Sequence, residues 1–228
     1  MRHIAIITAR SGSKGIINKN IKKINGKPMM AYTIEAALQS RLFDRIMVST
    51  DSEEYADIAI EYGAEVPFLR SNETSGDSAG SWDVVQEVLD KYYSMGDYFD
   101  TVCLLQPTSP LRTGADIIAA YDYFNKIGAE AVTSVCECDH PAEYMMVLPK
   151  NNSLKEYRKH EVDVPRQMLP TYYRINGAIY VRSIKNYNKK VEIVFDDEYA
   201  FIMDKMKSVD IDTIEDFEYA EYLLNKKV

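Results

Sequence analysis

Apolar residues in this chain recur at two spacings that take turns along it. Residues 3–8 form a continuous apolar run, the pattern of a strand buried on both faces. Residues 28–40 carry Met30, Ile34, Ala37 and Leu38 at helical spacing, with Pro28 placed in the first turn. Residues 45–50 predict a second strand. Ser52 then caps a helix over 54–62 whose Tyr55, Ile58, Ala59 and Tyr62 share one side. A third helix is expected over 81–93, from Val84, Val85, Val88, Leu89 and Tyr92. A strand over 101–106 runs into Pro107. A helix over 114–126 carries Ile117, Ile118, Tyr121 and Phe124, and a strand follows at 131–135. Strands alternating with amphipathic helices predict the α/β class, a mostly parallel sheet with helices on both faces.

The rhythm breaks after Cys136. Residues 139–170 hold His140-Pro141, Pro149, Asn151-Asn152 and a charged run up to Pro165, without strong periodicity. Their length and irregularity point to an arm or lid rather than a further strand–helix unit. The expected layout is therefore one α/β domain made of 1–138 and 171–228, with 139–170 protruding from it. The apolar run Tyr144-Met145-Met146-Val147-Leu148 and the pair Met168-Leu169 need a covering surface, so a two-fold homodimer is expected. Strands resume at 177–182 and 199–203. Residues 208–212 alternate apolar and acidic positions. A closing helix over 213–225 uses Phe217, Ala220, Tyr222, Leu223 and Leu224.

Composition narrows the function. The 228 residues carry 27 Lys+Arg against 35 Asp+Glu, so 27 − 35 = −8. That balance argues against a nucleic-acid binder, yet a local basic pocket for a small anion is compatible with it. With 46% hydrophobic residues the chain has the composition of a globular domain. No apolar run approaches the ~18 residues of a membrane span. The first residues lack a signal-peptide core and the last lack a lipidation motif, so a cytoplasmic protein without membrane contact is expected. Cys103, Cys136 and Cys138 are an odd number without zinc-ligand spacing, as expected of reduced thiols.

Four clusters carry candidate chemistry. Residues 8–15, Thr-Ala-Arg-Ser-Gly-Ser-Lys-Gly, follow the first strand and combine small residues with Arg10 and Lys14. Lys19 and Asn20 come shortly after. Such a loop suits a triphosphate but is neither a Walker loop nor a dinucleotide fingerprint. The second cluster, Gln106-Pro107-Thr108-Ser109-Pro110-Leu111-Arg112, is a strand exit stiffened by two prolines. The third frames Tyr172-Tyr173 between Arg166 and Arg174 and leads into Asn176-Gly177. Arginine forks suit carboxylate or phosphate. The fourth is Asp210-Ile211-Asp212, where period-2 geometry puts both carboxylates on one side of a strand. Two such oxygens can hold Mg²⁺ together with substrate phosphates, or they can cap the final helix.

Taken in this order the clusters resemble the CMP-sialic acid synthetases, or acylneuraminate cytidylyltransferases. Residues 26–28 (Gly-Lys-Pro), 48–51 (Val-Ser-Thr-Asp) and 173–180 also match, so the resemblance spans nearly the whole chain. It implies a Rossmann-like nucleotidyltransferase fold whose segment near 139–170 is a dimerisation arm. It implies the reaction of CTP with an acidic nine-carbon sugar to give a CMP-sugar and pyrophosphate. On matching positions, Arg10, Lys14, Lys19 and Asn20 would bind the CTP phosphates and ribose, and Arg70 and Ser81 the nucleoside. Gln106 and Thr108 would meet the sugar, and Arg166 and Arg174 its carboxylate. Asp210 and Asp212 would hold Mg²⁺, for which Mn²⁺ can substitute. Phe195 matches one half of an aromatic pair on the acyl group, whose other half is Val194 here. The family often has a lysine after the arm's His-Pro, whereas this chain reads His140-Pro141-Ala142-Glu143. Both departures lie on the sugar side. N-acetylneuraminate is the expected sugar, with legionaminate, pseudaminate or Kdo as alternatives.

The chemistry agrees with that expectation. The anomeric hydroxyl attacks the α-phosphorus and pyrophosphate leaves in line, so positioning and charge neutralisation dominate. Arg10, Lys14, Lys19 and Mg²⁺ are the natural neutralisers, with Arg10 and Lys19 the expected catalytic cations. Asp212, or a water on the metal, takes the hydroxyl proton. Two other classes stay open: a sugar nucleotidyltransferase using UTP or GTP, and a non-catalytic nucleotide-binding scaffold. The paired arginines favour an acidic sugar, and the intact Lys19, Asp210 and Asp212 favour catalysis.

Overall fold

A computed structural model describes residues 1–12, 15–76, 79–158, 165–185 and 197–226. Strand β1 (His3–Thr8) leads through a loop and a 3₁₀ turn at Lys19–Ile21 to a short hairpin of β2 (Lys23–Ile24) and β3 (Lys27–Pro28). Helix α1 (Met29–Ser40) follows, with Pro28 outside it as the N-cap residue rather than in its first turn. Strand β4 (Arg45–Ser49) and helix α2 (Glu53–Glu61) come next. The Ser52 hydroxyl caps α2 by accepting the Tyr55 N–H, as its sequence position predicts. A single turn, α3 (Asn72–Ser75), precedes α4 (Ser81–Ser94). Strand β5 (Thr101–Leu105), helix α5 (Gly114–Ile127) and strand β6 (Ala131–Glu137) complete the regular half. The described residues of the segment that follows contain 3₁₀ turns at Ala142–Tyr144 and Arg166–Met168 and, between them, a single helical turn, α6 (Lys155–Arg158). Then come β7 (Tyr173–Ser183), β8 (Glu198–Ile202) and α7 (Ile214–Asn225).

The sheet runs β4-β1-β5-β7-β6-β8. β1 is parallel to both neighbours, and β8 is parallel to β6, whereas β7 is antiparallel to β5 and to β6. The sheet is thus mostly parallel, with one reversed strand inserted at its middle. Alternation within β1 divides the core. Ala5 and Ile7 face a layer built from Met30, Ile34, Tyr55, Ile117 and Tyr121 of α1, α2 and α5. Ile4 and Ile6 face Val85, Val88, Leu89 and Tyr92 of α4. Helices therefore cover both faces, as the period-2 pattern requires. A third cluster seats Ile211 and the Phe217 and Ala220 side of α7 against Ile16, Ile24 and Met29. Each fully buried aliphatic side chain here contributes roughly 1.5–3 kcal/mol.

Some predicted core positions lie outside it. Leu38, Ile118 and Tyr222 are exposed, each at the margin of an otherwise buried helix stripe. Residues 208–212 form no strand. Cys103 and Cys136 are buried and Cys138 half-buried, all three as free thiols. In the segment after β6, almost every described residue from 142 to 157 is exposed. Tyr144, Met145, Met146, Val147, Leu148 and Met168 present apolar surface to solvent. Among the described residues, no helix is long and apolar enough to cross a membrane.

Candidate functional site

In an open α/β sheet the crevice for a ligand lies beyond the carboxyl ends of the parallel strands. A cavity of about 420 Å³ occupies that position at β1 and β5. The β1 exit gives it Thr8, Arg10 and Gly15, and the following 3₁₀ turn gives Lys19 and Asn20. The β5 exit gives Gln106, Pro107 and Thr108. The segment before α7 gives Asp210 and Asp212. Three of the four clusters read from the sequence therefore meet around one space.

Two contacts pin the first loop to the aspartate segment. The Lys19 ammonium donates to the Ile211 carbonyl at 2.8 Å and stands 3.1 Å from Asp212 Oδ1. A Cβ built on Gly15 would lie 2.7 Å from the Asp212 carbonyl oxygen, so only glycine allows this approach of backbone to backbone. Asn20 is buried and its amide donates to the Arg10 carbonyl at 2.9 Å, making it a strut of the same loop.

Asp210 and Asp212 share the cavity although they lie outside any strand. Ile211 between them is fully buried, and its N–H donates to the Thr108 carbonyl at 2.9 Å. That bond ties the aspartate segment to the β5 exit and sends the two flanking side chains the same way. Burial holds the Asp210 carboxyl above its ordinary range. A hydrogen bond from Thr108 opposes this, the Asp212 charge adds to it, and Lys19 and Arg174 oppose it. Neither aspartate side chain caps α7. That role falls to Thr213 and Asp216, which form a reciprocal capping box. Among the described residues, no group of three or more His, Cys, Asp or Glu is arranged to hold a metal. The donor set at Asp210 and Asp212 instead fits a Mg²⁺ that takes its remaining oxygens from phosphates and water.

The two arginines of the third cluster occupy different places. Arg174 donates to the Ser208 carbonyl at 3.0 Å and is close enough to Asp210 to lower its carboxyl. Arg166 donates to the Asp139 carbonyl and lines a separate cavity of about 300 Å³ with His140, Gln167, Leu169 and Tyr172. Within one chain they do not converge on one ligand. Arg70 is buried beneath the β4 exit, donating to the Ser49 hydroxyl at 3.1 Å and the Ser49 carbonyl at 2.7 Å. Burial pushes its guanidinium down to about 10, still charged at neutral pH. Ser81 opens α4, half-buried. Neither Arg70 nor Ser81 lines the 420 Å³ cavity. Lys14, Val194 and Phe195 lie outside the described residues.

Asp51 is a residue that the sequence reading did not single out for a role. Its carboxylate accepts from the Ser11 N–H at 2.7 Å and from the Ser11 hydroxyl at 2.8 Å. Burial opposes its ionisation, yet the two bonds from Ser11 prevail and hold the carboxyl below its usual range, helped by Arg70. It anchors the cation-bearing loop to the end of β4. Its position just after a strand adjacent to β1 was the available signal.

Comparison with known proteins bears on the family and the fold. A family model described as cytidylyltransferase matches residues 4–228. The chain is 38% identical over 225 residues to an N-acylneuraminate cytidylyltransferase of Escherichia coli, aligning 98% of this chain with 52% of that protein. It therefore spans about half the length of that relative. It is 34% identical over 223 residues to a pseudaminic acid cytidylyltransferase of Campylobacter jejuni, covering 98% of this chain and 96% of the other. Its fold superposes with a TM-score of 0.70 on a CMP:2-keto-3-deoxy-manno-octonic acid synthetase complexed with CTP. The two are 17% identical, and each is covered in full.

Proposed function

The chain belongs to the cytidylyltransferase family, and from that premise we propose that it activates a nonulosonic acid with CTP. The products are the CMP-sugar and pyrophosphate. One observation carries the reading: Arg10, Lys19, Gln106, Thr108, Asp210 and Asp212, drawn from three distant stretches of chain, line a single cavity at the strand ends. The relatives at 38% and 34% identity are named for two different nine-carbon acids, which supports the reaction class more sharply than the sugar.

The mechanism follows from the placement of charge. Arg10 and Lys19 face the triphosphate and neutralise the charge that grows on the departing pyrophosphate. The Ile211 carbonyl holds the Lys19 ammonium in place before substrate arrives, so little reorganisation is needed at the moment of reaction. Asn20 and Asp51 fix the backbone that carries Arg10. Gln106 and Thr108 orient the sugar from the β5 exit. Arg174 supplies positive charge on the Asp210 side for the sugar carboxylate, needed locally because the chain as a whole carries −8. The anomeric oxygen forms its bond to the α-phosphorus as the bond to pyrophosphate breaks. Asp212, the exposed carboxylate of the cavity, accepts the hydroxyl proton. Asp210 and Asp212 are the residues that would hold Mg²⁺, which when bound supplies further neutralisation of the phosphates. A turnover panel of CTP with N-acetylneuraminate, legionaminate, pseudaminate and Kdo tests the assignment. Pyrophosphate release is expected with at least one of the four and with N-acetylneuraminate foremost. Release with UTP or GTP in place of CTP, or with none of the four acids, would overturn it.

The protein is further proposed to be a two-fold homodimer built through the arm. Tyr144, Met145, Met146, Val147 and Leu148 are consecutive and all exposed, and Met168 is exposed beside them in the same segment. Such a run is covered in most stable proteins. Light scattering at micromolar concentration is expected to give about twice the chain mass of 26.1 kDa. A single-chain mass there contradicts the dimer.

A further inference from the structure

Arg112 ends the proline-stiffened turn that begins at Gln106, and it is a charged residue in the wrong place for a surface loop. It is 2% exposed and the largest of the fully buried side chains. The Asp116 carboxylate acts on it through space but pairs with Lys207 instead, and the Arg112 Nη1 is buried without a hydrogen-bond partner. Burying an unpaired guanidinium is unfavourable, and an apolar side chain of similar volume would fill the space without that cost. Its other nitrogens reach three neutral acceptors on three separate pieces of the fold. Nη2 donates to the Thr33 hydroxyl of α1 at 2.7 Å and to the Gln106 carbonyl at 3.3 Å, and Nε donates to the Ala178 carbonyl of β7 at 3.3 Å. The end of the turn thus grips its own beginning, at the residue whose side chain lines the cavity.

Gln106 is confined at its side chain as well. Gly177 has φ +77°, and a Cβ built on it would fall 2.5 Å from Gln106 Oε1. The carboxamide therefore rests against bare backbone, while the main-chain carbonyl of the same residue is held by Arg112. Tight presentation of one polar side chain is what a site needs to orient a polyhydroxylated ligand, because misplacement by about 1 Å is costly in rate.

We propose that Arg112 is a positioning residue, fixing Gln106 through its main chain so that the carboxamide meets the acid sugar in one orientation. The inference rests on the cytidylyltransferase reading above and goes beyond it, since Arg112 touches no substrate. It is tested at two levels. In the free protein, with no substrate present, the side-chain amide signals of Gln106 in a ¹⁵N-correlated NMR spectrum report its confinement. Arg112→Lys keeps the charge but loses the planar fork, and is expected to shift and broaden those signals while the signals of Asn20 stay in place. In turnover, Arg112→Lys is expected to lower kcat/KM for the acid sugar at least ~10-fold and to change KM for CTP less than ~3-fold. In a Gln106→Ala background the same substitution should cost less than ~2-fold, because the group it positions is gone. An equal loss in both backgrounds, or unmoved Gln106 signals, would overturn the inference and leave Arg112 a stabilising residue alone. If Arg112→Lys fails to fold, Thr33→Val removes the 2.7 Å bond without touching charge, and the same two readouts apply to it. Absence of turnover in the unaltered protein strikes the functional reading and leaves the NMR test of positioning standing.

Discussion

Replacing Asp212 by asparagine is expected to lower kcat/KM by at least ~100-fold, about 2.7 kcal/mol, while leaving the fold intact. The fold survives because the side chain makes only one exposed structural contact, with Lys19. The cap of α7 belongs to Thr213 and Asp216, and the contact that Asp212 makes with Asp216 is through its own N–H. Its side chain meets Lys19 at 3.1 Å, but with 74% of it exposed that pair contributes under about 1 kcal/mol. Activity falls because asparagine is isosteric yet neither accepts a proton at neutral pH nor binds a divalent cation as a carboxylate does. The companion measurement is turnover in excess EDTA, expected to be abolished and to return with Mg²⁺ or Mn²⁺. Unchanged activity in EDTA, or a fully active Asp212→Asn protein with unaltered melting, would remove both aspartates from the chemistry.

How much of this molecule the sequence discloses depends on whether burial leaves a periodic trace. β1, β4, β5 and, apart from Ile118, α5 are packed on the sides their apolar spacing marks; β1 has its expected limits and the other three differ from theirs by one residue. β7 is different. Its first three residues, Tyr173, Arg174 and Ile175, are exposed, so the strand begins four residues before the 177–182 stretch that periodicity detects. Its direction is invisible to composition, since a buried run reads the same in parallel and antiparallel pairing. The reversal follows from the long excursion between β6 and β7, which brings the chain back beside the strand it has just left. Around Ser134 the ladder slips, and Asn176 fills the gap: its Oδ1 accepts from the Ser134 hydroxyl at 2.6 Å and its Nδ2 donates to the Ser208 hydroxyl at 2.8 Å. That network steers the chain towards Asp210, and no linear pattern announces it.

The site is legible where each side chain lies at a strand end within a local cluster. Arg10, Lys19, Gln106, Thr108, Asp210 and Asp212 could be nominated that way, and they share one cavity. What joins them could not. Asp51 grips Ser11 forty positions away because β4 and β1 run parallel side by side. The Asp210-Ile211-Asp212 alternation looks like a strand, but its single backbone bond to Thr108 does the aligning instead. Arg112 looks like a solvated loop end and is a buried tie. Arg166 and Arg174 look like a pair because eight residues separate them, yet the chain between them carries Arg166 to the cavity beside His140 and Arg174 to the Ser208 carbonyl.

Lys19→Ala is expected to fold normally and to lose at least ~30-fold in kcat/KM, equivalent to about 2 kcal/mol, the lower end of what a single electrostatic donor contributes at a transition state. The side chain is 14% exposed and its ammonium is held by the Ile211 carbonyl at 2.8 Å, and it is therefore already oriented in the free protein. Its removal leaves that carbonyl to water at the cavity wall, a small change in stability, because the backbone bond from Ile211 to Thr108 remains. The transition state loses more, since charge accumulates on the departing pyrophosphate in a cavity where Asp210 and Asp212 supply only negative charge. Lys19→Arg separates position from charge. The bulkier fork does not fit the single carbonyl anchor, so it should recover only part of the rate. The measurement is kcat and KM for each substrate in turn, together with melting temperature. Loss confined to kcat and to the CTP terms, at constant melting temperature, places Lys19 on the phosphates. A near-normal rate in a folded Lys19→Ala protein would take it out of the mechanism and leave the leaving group to Arg10 and Lys14, the other cations of the first loop.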